Sequence, residues 1–85
     1  MKIFYSTKFA KEYKKLPVKI KILAEKQEKI FRQNPFDSRL KTHKLSGKLQ
    51  EFWSFSIDYQ HRIIFELVDA KTIWFHSVGT HQIYR

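Results

Sequence analysis

Residues 52–57 read Phe52-Trp53-Ser54-Phe55-Ser56-Ile57. Large apolar and small polar side chains alternate with a period of two, which marks a strand with one buried face. Trp53, Phe55 and Ile57 fall on one side, Ser54 and Ser56 on the other. Asp58-Tyr59-Gln60 supplies a turn. Residues 61–68 alternate again, with Ile63, Phe65 and Leu67 facing one way and Arg62, Ile64 and Glu66 the other. Asp69-Ala70-Lys71 turns once more. Residues 72–78 place Ile73, Phe75 and Ser77 opposite Trp74, His76 and Val78, and Gly79 closes the strand. Strands joined by short turns predict an antiparallel run of hairpins. Its buried face should carry Trp53, Phe55, Ile57, Ile63, Phe65, Leu67, Ile73 and Phe75. Its other face should show Ser54, Ser56, Arg62, Glu66, Trp74 and His76.

Upstream, the period lengthens to that of a helix. Residues 2–5 alternate and form a short first strand. Ser6 or Thr7 can cap a helix over about residues 8–15, with Phe9, Tyr13 and Leu16 on one face. Pro17 suits the first turn of a second helix over residues 18–33. Ile20, Leu23, Ala24, Gln27, Ile30 and Phe31 make its inward stripe, and Lys21, Glu25 and Lys29 can pair on its outside. Asn34 tolerates a left-handed cap, and Pro35 cannot continue the helix. Residues 35–49 lack periodicity and are predicted to be a basic loop with Arg39, Lys41, His43, Lys44 and Lys48, turned by Gly47. Loops of this length in small domains are usually functional or disordered. The order β-α-α-β-β-β predicts an α+β fold, a single domain over 1–85, with both helices on one face of a curved antiparallel sheet.

The chain has 85 residues, with 17 Lys plus Arg against 8 Asp plus Glu, a net charge of +9. An aromatic share of 16% argues against a disordered basic tail, which would lack large groups to bury. No cysteine is present, so disulfides, thiolate metal sites and Cys nucleophiles are excluded. The first residues lack a secretory apolar region, and no apolar run is long enough to span a bilayer. The expected location is cytoplasmic. The charge points to a polyanion such as RNA, DNA or the ribosome, or to an acidic protein that cancels it.

The residue types that could carry chemistry are His43, Arg62, His81, Tyr84 and Arg85. RNA is cut without metal when a base takes the 2′-hydroxyl proton, an acid protonates the leaving 5′-oxygen and a cation holds the phosphate. Histidine, with an unperturbed pKa near 6.5, suits both proton roles. Arginine suits the phosphate because its charged fork donates two bonds at once. Plainer readings stand beside these. His43 can be a solvated loop residue, Arg62 a partner of Glu66, His81 a cap of the tail and Tyr84 a packing anchor. Composition supports a basic binding module equally well. Glycine-rich phosphate loops, HExxH, EF-hand and GxSxG patterns are absent. Four scattered His predict no metal site, and no cofactor is expected.

Several runs together resemble the RelE/ParE superfamily of bacterial toxins: Asn34-Pro35-Phe36-Asp37, His43-Lys44-Leu45-Ser46-Gly47, residues 52–57, Tyr59-Gln60-His61-Arg62-Ile63-Ile64-Phe65, and Val78-Gly79-Thr80-His81-Gln82-Ile83-Tyr84. The chain looks most like the branch that contains the YoeB and YafQ messenger-RNA interferases. The resemblance implies the toxin of a type II toxin–antitoxin system, a ribosome-dependent endoribonuclease that cleaves messenger RNA in the A site by metal-independent acid–base catalysis. It implies that Arg62 binds the phosphate, that His81 is the proton donor, and that Tyr84 places the nucleotide. His43 falls where relatives carry a Glu or His proposed as base. Ser54 and Ser56 stand where RelE carries lysines, so a two-histidine scheme fits better than a lysine-based one. Lys44, Lys48 and Arg85 would then supply charge to the RNA. The implied partners are a cognate acidic antitoxin, the ribosome and its message, with operator DNA reached through the antitoxin. A ParE-like gyrase inhibitor without nuclease activity is the alternative. A degenerate toxin that only holds its antitoxin is a third reading, against which the intact His43, Arg62 and His81 set argues.

Overall fold

The computed structural model describes residues 1–80. Strand β1, Lys2–Tyr5, ends at Ser6, whose backbone stays extended while its Oγ accepts from the Phe9 N–H at 2.9 Å. That cap starts α1, Thr7–Lys14. Helix α2 runs Val18–Gln33 behind Pro17, as the apolar stripe predicts. Ile20, Ala24 and Phe31 are buried along it, and Leu23 and Ile30 pack partly against the same core. The ion pair on its outer side is Glu28–Arg32 at 3.1 Å, while Lys21 Nζ lies 6.0 Å from the centre of the Tyr13 ring. Neither is a pair between members of the expected Lys21, Glu25 and Lys29 set.

Downstream lie β2 (His43–Lys44), β3 (Trp53–Ser56), β4 (Arg62–Asp69) and β5 (Thr72–Gly79). The sheet order is β1-β5-β4-β3-β2. From β2 to β5 the neighbours are antiparallel, but β1 pairs parallel with β5, matching Ile3 to Ile73 and Tyr5 to Phe75. The sheet is therefore mixed, not antiparallel throughout. The cause is topological: β1 is followed by both helices, and only such a long crossover lets the chain return beside it in the same direction.

The core lies between the helices and this sheet. Phe31 is fully buried, with its ring 4.8 Å from Phe55, 4.9 Å from Phe65 and 5.4 Å from Phe75, one stacked and two edge-on. Such pairs add about 0.5–1.5 kcal/mol each beyond the apolar area they bury. Phe9, Leu40, Ile57, Ile63 and Ile73 complete the cluster, and Trp53 and Leu67 pack against it. The face expected to be buried is thus the buried one.

Three local expectations are corrected. Asn34 is extended at φ −157°, not left-handed; its Oδ1 instead accepts from the Phe36 N–H at 3.0 Å, a side-chain turn that needs no unusual backbone. Residues 35–49 hold two 3₁₀ turns, Ser38–Leu40 and Gly47–Leu49, and the short strand β2, which joins the sheet edge. Their elements are too short to leave a periodic signal. In β5 the partner of Ile64 is Ser77 and that of Phe65 is Phe75, so His76 is an extra residue. This bulge reverses the alternation beyond it and delivers Val78, not Ser77, to the core. Among the described residues no helix is long and apolar enough to cross a membrane.

Candidate active site

The sheet ladder decides which side chains meet, because directly paired residues share a face. His43 pairs with Ser54, Ser54 with Ile64, and Ile64 with Ser77. In the adjoining row, Ser56 pairs with Arg62 and Arg62 with Gly79. Both rows lie on the face away from the Phe55, Phe65 and Phe75 core. His43 and Arg62 therefore share one face, two strands apart and offset by two residues. Strand spacings of about 4.8 Å and a rise of about 3.4 Å per residue put their backbones about 12 Å apart. Both side chains can reach into that gap.

Arg62 is half-buried and fixed: its Nη1 donates to Ser56 Oγ at 2.6 Å. It does not pair with Glu66, which takes His76 Nε2 at 3.0 Å. Arg62 also lines an open cavity of about 840 Å³, together with Gln27, Arg39, Lys41, Asp58, Tyr59 and Thr80. Three cations and one carboxylate make its lining positive. Asp58 is already engaged: its Oδ1 accepts from the Gln60 N–H, the His61 N–H and His61 Nδ1. Burial works to raise its pKa, but these bonds outweigh it and hold the carboxyl below its usual range. Asp37 sits at about 2, chiefly because the Arg39 side chain donates to it from Nε and Nη2 at 2.9 Å, with the Arg39 backbone N–H adding to this.

His43 is exposed at the sheet edge, and its Nδ1 lies 3.2 Å from the Lys41 carbonyl. A carbonyl only accepts, so Nδ1 carries the proton, and in the neutral ring Nε2 is left bare. A bare Nε2 is what a general base requires. Lys41 presents that carbonyl from a left-handed conformation, φ 52°, stabilised nearby by the Thr42 hydroxyl, which donates to the Pro35 carbonyl. Lys44 pairs with Trp53 and so points to the opposite face from His43. Lys48 is exposed in the second 3₁₀ turn. His81, Tyr84 and Arg85 lie outside the described residues; in sequence His81 follows Gly79, the partner of Arg62, by two.

Sequence reasoning missed the supports of this site. Ser56 anchors Arg62, a pairing that could have been read from their symmetric flanking of the turn. Gln27, expected in the inward stripe of α2, donates from Nε2 to the Ser56 carbonyl at 2.9 Å and to the Arg39 carbonyl at 3.3 Å. It ties α2, β3 and the first 3₁₀ turn together. Arg39, Lys41 and Tyr59 carried no signal beyond charge and aromaticity. The polar row is also less open than expected: Ser54, Ser56, Ile64 and Ser77 are buried, and Ser77 Oγ donates to Glu12 Oε1 at 2.8 Å.

Solved structures share this architecture. YafQ from E. coli strain BL21(DE3) superposes with a TM-score of 0.81 at 20% identity, covering 98% of this chain and 96% of that one. A YoeB/ParE toxin from Agrobacterium tumefaciens gives 0.80 at 16% identity, covering 95% and 99%. The E. coli DinJ–YafQ complex gives 0.69 at 22% identity, covering 96% and 94%. Identities this low establish the fold alone. No curated protein matches the sequence. The family model for YafQ, a bacterial toxin of type II toxin–antitoxin systems, matches residues 1–84. Nearly the whole chain is thus accounted for by one family, and the protein belongs to the YafQ toxins of type II toxin–antitoxin systems.

Proposed function

We propose that this toxin is a metal-independent endoribonuclease that cleaves messenger RNA in the ribosomal A site. The observation that carries the reading is the shared face of His43 and Arg62, one with an imidazole nitrogen left free to accept, the other held by Ser56 at the wall of a cationic cavity. His43 takes the 2′-hydroxyl proton, and the 2′-oxygen attacks the adjacent phosphorus. Arg62 stabilises the charge that builds on the phosphoryl oxygens. His81 gives its proton to the leaving 5′-oxygen, and Tyr84 positions the nucleotide. The products are a 2′,3′-cyclic phosphate, which hydrolysis opens to a 3′-phosphate, and a 5′-hydroxyl. Arg85 and Lys48 add charge along the RNA, while Lys44 contacts it only where the strand wraps around the edge of β2.

Lys11, Lys14, Lys15, Lys19 and Lys26 are exposed on the helices and suit phosphates of ribosomal RNA, a sequence-blind and salt-sensitive attraction. The net charge of +9 likewise favours an acidic antitoxin, which would mask the site by folding across it. The DinJ–YafQ complex supports a partner of that kind. Toeprinting of a translated message tests the function: wild-type protein yields A-site cuts, and Arg62→Ala and His81→Ala abolish them. Gyrase trapped on DNA with translated messages left intact would replace this reading by the ParE-like one.

A further inference from the structure

Tyr59 is 95% exposed at the tip of the turn between β3 and β4. Other exposed aromatics have ring partners: Phe4 stacks on Trp74 at 5.7 Å, and Phe36 meets Trp53 edge-on at 5.3 Å. Among the described residues no ring packs on Tyr59. Its backbone, by contrast, is held on both sides. Asp58 Oδ1 accepts from the Gln60 N–H at 2.9 Å and the His61 N–H at 2.7 Å, and the Ile57 N–H donates to the His61 carbonyl at 2.8 Å. A large flat apolar surface is thus presented to solvent from a closed turn, at little cost in ordering when something stacks on it.

The surroundings define what would stack. Tyr59 lines the same cavity as Arg39, Lys41 and Arg62, and the one carboxylate there, Asp58, is engaged by the turn itself. A ligand matched to this lining has a negative group and a flat aromatic face. A nucleotide has both, and about 840 Å³ lies within the usual size of pockets for small organic ligands. Base–aromatic stacking is also the common device by which proteins hold unpaired strands.

We propose that Tyr59 is a stacking platform for the message nucleobase next to the scissile phosphate, whose backbone lies against Arg39, Lys41 and Arg62. The proposal rests on the endoribonuclease reading and adds a positioning residue to it. The test uses ribosomes carrying a message with a 2′-O-methyl group at the cleavage point, which blocks the nucleophile and leaves binding to be measured. Tyr59→Ala weakens binding about tenfold, and Tyr59→Phe stays within about twofold, because the ring and not the hydroxyl is used. A second arm uses a message ending at the P site; there Tyr59→Ala binds like wild type. Equal binding of wild type and Tyr59→Ala on the full message overturns the proposal. So does an equal loss in both arms, which would place the base in ribosomal RNA. Cleavage of unmodified message by the wild type is scored in parallel. Its absence removes the nuclease reading, whereas cleavage with unchanged Tyr59→Ala binding removes only the stacking role.

Discussion

The Arg62 guanidinium donates from Nη1 to the Ser56 hydroxyl at 2.6 Å, and the same two residues are direct partners in the β3–β4 ladder. Backbone pairing and side-chain bond therefore fix one another. Ser56→Ala keeps the ladder and the volume but frees the guanidinium. Its cleavage rate falls about three- to tenfold and its stability by about 1 kcal/mol, the worth of one hydrogen bond. Arg62→Ala costs about 10²–10³-fold, and Arg62→Lys recovers little, since an ammonium lacks the fork. Single-turnover cleavage beside circular-dichroism melts checks both.

Gln27 holds the cavity wall by bonding the carbonyls of Ser56 and Arg39. Gln27→Ala loosens the turn that carries Arg39 and Lys41. The expected result is a stability loss of about 1 kcal/mol in urea unfolding and a KM that rises more than kcat falls.

Phe31 is the hub of the aromatic core, fully buried against Phe55, Phe65 and Phe75. Phe31→Ala should cost about 3–5 kcal/mol, and Phe31→Leu clearly less. Chemical denaturation measures the difference. A loss below about 1 kcal/mol for Phe31→Ala would mean that the core is assembled otherwise.

Acid should weaken the fold through its depressed carboxyls. Asp37 falls from the ordinary 3.8 to about 2, held mainly by the Arg39 side chain. Asp58 is lowered because turn hydrogen bonds overcome its burial, and Asp69 because the Lys71 N–H and the Thr72 hydroxyl donate to it. A lowered folded-state value means that the unfolded chain binds more protons in this window. The stabilisation is full above the ordinary carboxylate value and is lost as pH falls from there; for Asp37 the loss runs from 3.8 down to about 2, where it is nearly complete. Tm followed through this range should drop less steeply for Asp37→Asn than for wild type. Parallel curves would contradict it.

Strands and helices were legible where their periodicity ran long. The alternation through residues 52–57 and 61–68 marked the buried face, and Ser6 and Pro17 marked both helix starts. The parallel seating of β1 was not legible, because strand partners depend on the path of the whole chain. Nor was the bulge at His76, which leaves the local pattern intact and acts only through the register with β4. In the candidate site, Arg62 and His43 stood out by residue type. Their supports did not: Ser56 and Gln27 are ordinary residues whose roles arise from pairing and packing.

The central claim is that His43 and Arg62 act on one phosphodiester. It is tested most directly by single-turnover cleavage of an A-site message with analysis of the new ends, using wild type, His43→Ala, Arg62→Ala and the double variant. The wild type should leave a 2′,3′-cyclic or 3′-phosphate and a 5′-hydroxyl. Each single variant should lose at least about 100-fold, and the double variant should lose far less than the product of the two, as for groups acting as a unit. Cleavage at wild-type rates by both single variants, or new ends bearing a 5′-phosphate, would contradict it.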